Sequence, residues 1–379
     1  MQKLVLNEEQ QMLRDAANGL FQEQGPVSLL RKLRDSGSEP GYDPDFWKQA
    51  VELGLAGTLV PEAQGGSAFG HVGMGQVMEE NGRTLTPSPL FATAIVGATA
   101  LMLAGSEQQQ SLLADIGSGQ RLMALAIDEQ GRHQPQRVAA TAEAHGDGFI
   151  LNGSKTFVVD GHIADTLIVS ARTAGNTDQR DGISLFLVDA GAEGVTVNRT
   201  TMVDTHNAAR VTLENVPVAG SALLGEAGKG MDVLEPLLDI ANAHIAAELL
   251  GVASEAFKRT LSYMQERKQF GALIGSFQAL QHRAAALWSE LELLKSCVLK
   301  ALMALDAQDP RASELVSVAK AKACKVAELA TNEGIQLHGG MGMTDEYDIG
   351  LFLKRARPLQ LLFGDQRYHA DRFARLRGF

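Results

Sequence analysis

Basic charge is in short supply in this 379-residue chain: 34 Lys and Arg stand against 45 Asp and Glu, a formal charge of −11. A phosphate-backbone partner draws on a basic face, so nucleic acid is excluded as an expected partner. Cysteine is nearly missing. Cys297 and Cys324 are the only two; they lie in helical sequence with neither a CxxC nor a metal-ligand spacing around them, and read as buried free thiols of a reducing compartment. No metal site is expected. Prolines number 11 against 39 glycines, with 45% hydrophobic and 21% charged residues, which excludes disorder as the main state. No uninterrupted apolar run approaches the roughly 18 residues that a membrane helix requires. The segment Met1 to Gln10 has no long apolar core followed by a small-residue cleavage site. Membrane insertion is therefore not expected, and the cytoplasm is the expected location.

What is present falls into segments of different texture, as a prior of about 100 to 200 residues per domain predicts for this length. From Asn7 to about Gly119 apolar residues recur at helical spacing, as in Leu13, Ala16, Leu20 and Phe21 and again in Phe46, Ala50, Leu53 and Leu55. Pro61 to Gly66 and Pro87-Ser88-Pro89 punctuate these helices. Between about Arg121 and Gly230 the period shifts towards two, with runs at 149–151, 156–159, 166–169 and 183–188. Asp147-Gly148 and Asn152-Gly153 fall between runs and predict tight hairpins. Long helical patterns then return over 233–267, 277–306 and 312–337, with few breakers before Gly339-Gly340. The expected domains are 1–120 helical, 121–230 β and 231–379 helical. This order is neither doubly wound α/β nor a single bundle.

Two segments carry more than texture. Arg267-Lys268-Gln269-Phe270-Gly271, followed by Ile274, Phe277-Gln278 and Gln281-His282, sets a cation, an aromatic ring and an amide between two long helices. Gln336-Leu337-His338-Gly339-Gly340-Met341-Gly342 ends a helix in a glycine loop that a ligand could approach closely. With the helix, β, helix order, these segments resemble the acyl-CoA dehydrogenase family of flavoproteins along essentially the whole chain. Supporting pieces are Pro61-Glu62 with Gly65-Gly66, Asn152-Gly153-Ser154-Lys155, Asn215-Val216-Pro217, Leu224-Gly225, Gly228-Lys229-Gly230 and Glu346.

The resemblance implies an α+β fold with an N-terminal helical domain, a middle antiparallel β-domain and a C-terminal four-helix bundle. It implies FAD as cofactor, an acyl-CoA substrate, α,β-desaturation with hydride transfer to flavin N5, and electron-transferring flavoprotein as acceptor. It places the protein in lipid metabolism and β-oxidation, in a homo- or hetero-oligomer, dimer or tetramer. Carried over by position, Arg267 meets the FAD pyrophosphate, Phe270 and Gln278 line the adenosine side, and Gln336, Gly339 and Gly340 contact the dinucleotide. Phe157 and Val159 stand where the family's flavin-facing strand carries tryptophan and threonine; Phe157 can cover an apolar ring face, whereas Val159 has no side-chain donor. The usual threonine-rich turn is replaced by Ala124 to Glu129, where Asp128 is the polar side chain before Glu129. Asp239 matches the CoA-binding end of its helix, and Asn242 stands where a thioester-site arginine is usual. The basic C-terminus, with Lys354, Arg355, Arg357, Arg367, Arg372, Arg375 and Arg377, is read either as a solvated helix face or as charge reaching FAD or CoA phosphates across a subunit interface.

The base is where this sequence departs from the family it resembles. Removing the α-proton of a thioester needs a nearby carboxylate. The two positions the family uses hold Phe363, taken as substrate-lining, and Ala241. Two carboxylates could substitute: Asp365, which extended backbone would turn to the same side as position 363, and Glu248 further along the first C-terminal helix. Alternatively, the chain is the base-less half of a heteromeric dehydrogenase; the stretches 157–161 and 363–365 look like the branch of two-component enzymes for dicarboxylic or steroid side-chain acyl-CoA thioesters. A non-catalytic scaffold and a flavin monooxygenase of the same fold are the competing readings.

Overall fold

The computed structural model describes residues 4–379. Met1, Gln2 and Lys3, the start of the segment inspected for a secretory signal, lie outside the described residues. Two compact units emerge, one of Leu33–Gly70 and Pro87–Ala241, the other of residues 4–32, 71–86 and 242–379.

The first unit holds helix α3 (Pro44–Glu52), started by Asp43 capping Asp45 and Phe46 with proline at the first turn. It also holds a fully buried π-helix at Leu90–Gly97, and α5 (Ala98–Ala104), α6 (Glu107–Gln110) and α7 (Leu112–Gly117). Its β-sheet comprises β1 (Met123–Ala126), β2 (Thr141–His145), β3 (Gly148–Val159), β4 (Thr166–Arg172), β5 (Ile183–Asp189), β6 (Val195–Thr201), β7 (Asn207–Ala219) and β8 (Leu223–Leu224). The order is β6-β7-β3-β2-β4-β5-β8, with β1 on β4. The sheet is mixed and not purely antiparallel as expected, because β1 runs parallel to β4, pairing Met123 with Thr166 through Ala126 with Val169. A second correction concerns Asn152-Gly153. The two runs flanking it are one strand, and the dipeptide is a β-bulge opposite β7. Gly153 (φ 151°) is required there, since a Cβ would lie 2.5 Å from that of Ala140.

The second unit is helical: α1 (Glu8–Gln24), α4 (His71–Thr84), α9 (Gln278–Asp306), α10 (Ala312–His338), α11 (Ile349–Leu361) and α12 (Gln366–Leu376). Helices α2 (Val27–Ser36) and α8 (Gly230–Glu266) have residues in both units. Helix α1 starts at a reciprocal cap, Asn7 Oδ1 accepting from Gln10 N at 2.7 Å and Gln10 Oε1 from Asn7 N at 3.0 Å. Close approach of α4 and α8 depends on glycine on both sides. A Cβ at Gly82 would meet Glu248 O at 2.1 Å, and one at Gly251 would meet Glu79 O at 1.9 Å.

Among the described residues one helix, α8, is long and apolar enough to cross a membrane, and 89% of its apolar window is buried inside the fold. Both cysteines are free; Cys324 is buried as expected, whereas Cys297 is only half-buried.

Candidate functional site

A groove of about 820 Å³ opens on the helical unit. One wall is a short hairpin, β9 (Lys268–Gln269) and β10 (Ala272–Leu273), following α8. Its turn residues Phe270 and Gly271 both have positive φ, 53° and 78°, the twist that a two-residue hairpin prefers. This throws the Phe270 ring outward, 94% exposed. Arg267 lies just before the hairpin, its own N–H donating to Tyr263 O and its carbonyl accepting from Ile274 N.

The opposite wall is the end of α10 and the glycine loop. Gly339 stops the helix with φ 60° and ψ −139°, a conformation open to glycine alone. A Cβ on Gly339 or Gly340 would meet nothing within 4 Å, so backbone is bare to the groove. His338 is fixed below it: Nδ1 lies 2.7 Å from Gly334 O, and its ring stacks on Tyr263 at 4.3 Å. The imidazole is thus a donor and a packing surface. Arg267, Phe270, Gln336, Gly339 and Gly340 all line this groove. Gln278, the first residue of α9, is exposed beside it but outside the lining. A cation, bare glycine backbone, amides and aromatic rings suit a dinucleotide, whose pyrophosphate is anionic and whose base is flat.

In the β-sheet unit, Thr156 N donates to Asp128 O at 2.8 Å, tying the chain beyond β1 to β3. Phe157 follows with φ 54° and is half-buried, while Val159 is buried. The sequence reading missed His133. Its Nδ1 is 3.0 Å from each carboxylate oxygen of Asp128, so the polar side chain of that turn is an imidazole–carboxylate pair. Lys155 is fully buried, bonded to Glu129 Oε1 at 2.8 Å and Ser170 Oγ at 2.9 Å. Asp239, in the part of α8 belonging to this unit, is buried.

The turn at 362–365, between α11 and α12, is where the missing base matters. Phe363 is 5% exposed with φ 53°, and Gly364 follows with φ 107°. The backbone is therefore not extended, and the premise that placed the Asp365 side chain with position 363 is overturned. Asp365 instead caps α12, Oδ1 accepting from Tyr368 N at 2.8 Å. Ala241 is fully buried. Glu248 is engaged elsewhere, paired with Arg355 at 3.1 Å where both side chains are buried. Three of the C-terminal cations form surface pairs within the chain: Arg357 with Glu328, Arg375 with Asp371 and Arg377 with Glu314.

Another pair was illegible because its members are 173 positions apart. His71 Nδ1 and His244 Nε2 are 3.3 Å apart, close enough to share one proton. Asp306 accepts from the main-chain N–H of both His71 and Val72. Burial holds both imidazoles below the ordinary histidine value, His244 far below it with His71 adding to the effect, and Asp306 partly opposing it at His71. Folded-state values below the unfolded one mean that unfolded chain binds more protons. Their stability contribution is present above about pH 6.5 and is lost as pH falls below it, by up to about 1.4 kcal/mol per pH unit per group. Thermal melts from pH 8 to pH 5 are expected to show this acid-side loss, with His244→Gln flattening the profile. Parallel profiles would remove the pair as the source.

The comparisons with known proteins agree along the chain. Residues 7–120, 124–216 and 228–376 match the N-terminal, middle and C-terminal domains of acyl-CoA dehydrogenase. The chain is 32% identical over 363 residues to the probable acyl-CoA dehydrogenase YngJ of Bacillus subtilis, covering 94% of each. It is similar to a solved variant of the Tcur3481-Tcur3483 steroid ACAD, at 33% identity, 97% of each chain and a TM-score of 0.87. It is also similar to the ChsE4-ChsE5 complex from Mycobacterium tuberculosis, at 25% identity, 100% of each chain and a TM-score of 0.90. With all three domains matched in order, this chain belongs to the acyl-CoA dehydrogenase family, flavin-dependent oxidoreductases that act on CH–CH bonds.

Proposed function

We propose that this chain takes part in FAD-dependent α,β-desaturation of an acyl-CoA thioester as the base-less subunit of a heteromeric dehydrogenase, the carboxylate coming from a homologous companion. The observation that carries this is the turn at 362–365. Position 363 is a buried phenylalanine, position 241 a buried alanine, and the nearest substitute, Asp365, spends its side chain on a helix cap. The two-component assemblies among its relatives, the Tcur3481-Tcur3483 steroid ACAD and the ChsE4-ChsE5 complex, support a partnered enzyme. A steroid side-chain or similarly bulky acyl group is the substrate class this reading favours.

When bound, FAD supplies the hydride acceptor. Arg267 holds the pyrophosphate by charge-assisted bonds, Gly339 and Gly340 admit it to bare backbone, and Gln336 donates or accepts at its edge. In the helical unit Phe270 and Gln278 would flank the adenosine and Phe363 would border the thioester; in the β-sheet unit Phe157 and Val159 would exclude water beside the ring system, and Asp239 would border bound CoA.

The test is FAD per chain for protein purified alone, with an acyl-CoA panel added anaerobically. The expected result is flavin that does not bleach until a companion subunit is co-expressed. Full occupancy with bleaching by the chain alone would overturn the partnered reading. Arg267→Ala is expected to lower FAD retention about tenfold or more, read from the absorbance ratio after dialysis; unchanged flavin content would remove Arg267 from the pyrophosphate.

A further inference from the structure

Lys320 and Cys324 lie four positions apart on α10 and so share one face of the helix. Both are buried, a place where lysine is rarely found unless paired. The ammonium meets main-chain carbonyls: Nζ donates to Leu362 O and Gly364 O at 2.9 Å each and reaches Gln360 O at 3.5 Å. Cys324 Sγ reaches the same Gln360 O at 3.6 Å. An amine and a thiol thus share one acceptor, and the two side chains also hydrogen-bond one another. Gln360 Nε2 returns a bond to Cys324 O at 2.6 Å, which fixes α10 against the end of α11 and leaves the two reactive atoms little room to part.

Burial lowers the proton affinity of the Lys320 amine, with Cys324 and Asp365 opposing the shift. It pushes the Cys324 thiol up, with Lys320 opposing. The uncharged amine that burial favours is a nucleophile, which an ammonium is not. A sulfenic acid condenses with the nucleophile beside it, either a thiol or a nitrogen. Beside Cys324 that group is the Lys320 amine; the other cysteine, Cys297, is on α9 with Lys322 near it.

We infer that Lys320 and Cys324 form a peroxide-responsive modification site, which closes to a sulfenamide cross-link and releases the turn at 362–365. In the first step Sγ attacks one oxygen of hydrogen peroxide; the O–O bond breaks, and the departing oxygen leaves as water with the thiol proton. Sulfur is oxidised and peroxide reduced. In the second step the ammonium gives one proton to solvent and the amine attacks the sulfur. The S–O bond breaks, an S–N bond forms, and the hydroxyl leaves as a second water with another amine proton. A thiol reductant reverses the cross-link by attacking its sulfur.

The effect on the turn follows from donor counting. The bridged nitrogen keeps one N–H where the ammonium had three, so it cannot hold Leu362 O and Gly364 O together. Between those two carbonyls Phe363 has φ 53°, a conformation that a bulky residue does not keep unaided. The inference does not rest on the desaturation reading above.

The test treats the full chain with hydrogen peroxide and cleaves it after glutamate, so that residues 315–328 form one peptide holding both side chains. That peptide is expected to lose two hydrogens, to fragment as a Lys320–Cys324 cross-link, and to regain its mass with a thiol reductant. Hydrogen exchange at residues 362–365 should accelerate at least about tenfold in the treated chain and recover on reduction. Lys320→Met keeps the length of the side chain and removes the amine, so there Cys324 should stop at the sulfenic acid and be captured by dimedone. A parent peptide that gains oxygen at Cys324 without losing two hydrogens, or that does not react, overturns the cross-link. Unchanged exchange in the cross-linked chain overturns the release of the turn. Should the variant not fold, the measurements on the parent chain still decide both points.

Discussion

Replacing Phe363 by glutamate is expected to speed the bleaching of bound flavin by acyl-CoA at least about 100-fold over the parent chain, the lower range of what a positioned general base contributes. The loop needs no rebuilding. Lys320, Asn242 and His369 grip only its carbonyls, so the side chain at 363 can change while the backbone stays. A carboxylate in that buried position is also raised above the usual range by desolvation, which suits a group that must take a proton near neutral pH. Anaerobic stopped-flow at the flavin absorbance, with Phe363→Gln as the isosteric control, gives the answer. If neither variant bleaches, position 363 does not face the α-carbon and the base-less reading loses its main support. If both bleach, the effect is one of pocket size.

Removing one half of the Glu248–Arg355 pair should cost about 3 to 5 kcal/mol of stability, since the surviving charge is left buried. The pair joins α8 to α11, and the Arg355 guanidinium also donates to Leu85 O at 3.1 Å. Urea unfolding of Glu248→Ala is the measurement. The double variant Glu248→Met with Arg355→Met should lie well above either single one, because no unpaired charge remains and apolar volume is kept. A single-variant loss under about 1 kcal/mol would mean that water reaches the pair. Sequence position offers Glu248 as a substitute base; in this fold its carboxylate pairs with Arg355.

Several features were legible because they are local. The spans of α8, α9 and α10 follow from apolar periodicity and from breakers at either end, and the glycine loop after α10 was readable because Gly339 stops a helix by a rule of backbone geometry. Other readings failed where local rules are shared by different structures. Asn152-Gly153 has the chemistry of a hairpin turn, yet it sits in a bulge, since β7 pairs on both sides of it. Asp365 after a glycine suits either a cap or an extended segment, and only the φ values at 363 and 364 separate them.

The sequence by itself determined the order of helical, β and helical segments, the family resemblance, and the loss of carboxylates at 363 and 241, because each depends on residue identity along a continuous stretch. Only the tertiary structure decided which buried polar groups meet. Glu248 with Arg355, His71 with His244, and Lys320 with the carbonyls of Gln360, Leu362 and Gly364 are set by how elements pack. A charge buried without water must find its partner in space, and spacing along the chain carries no record of that distance.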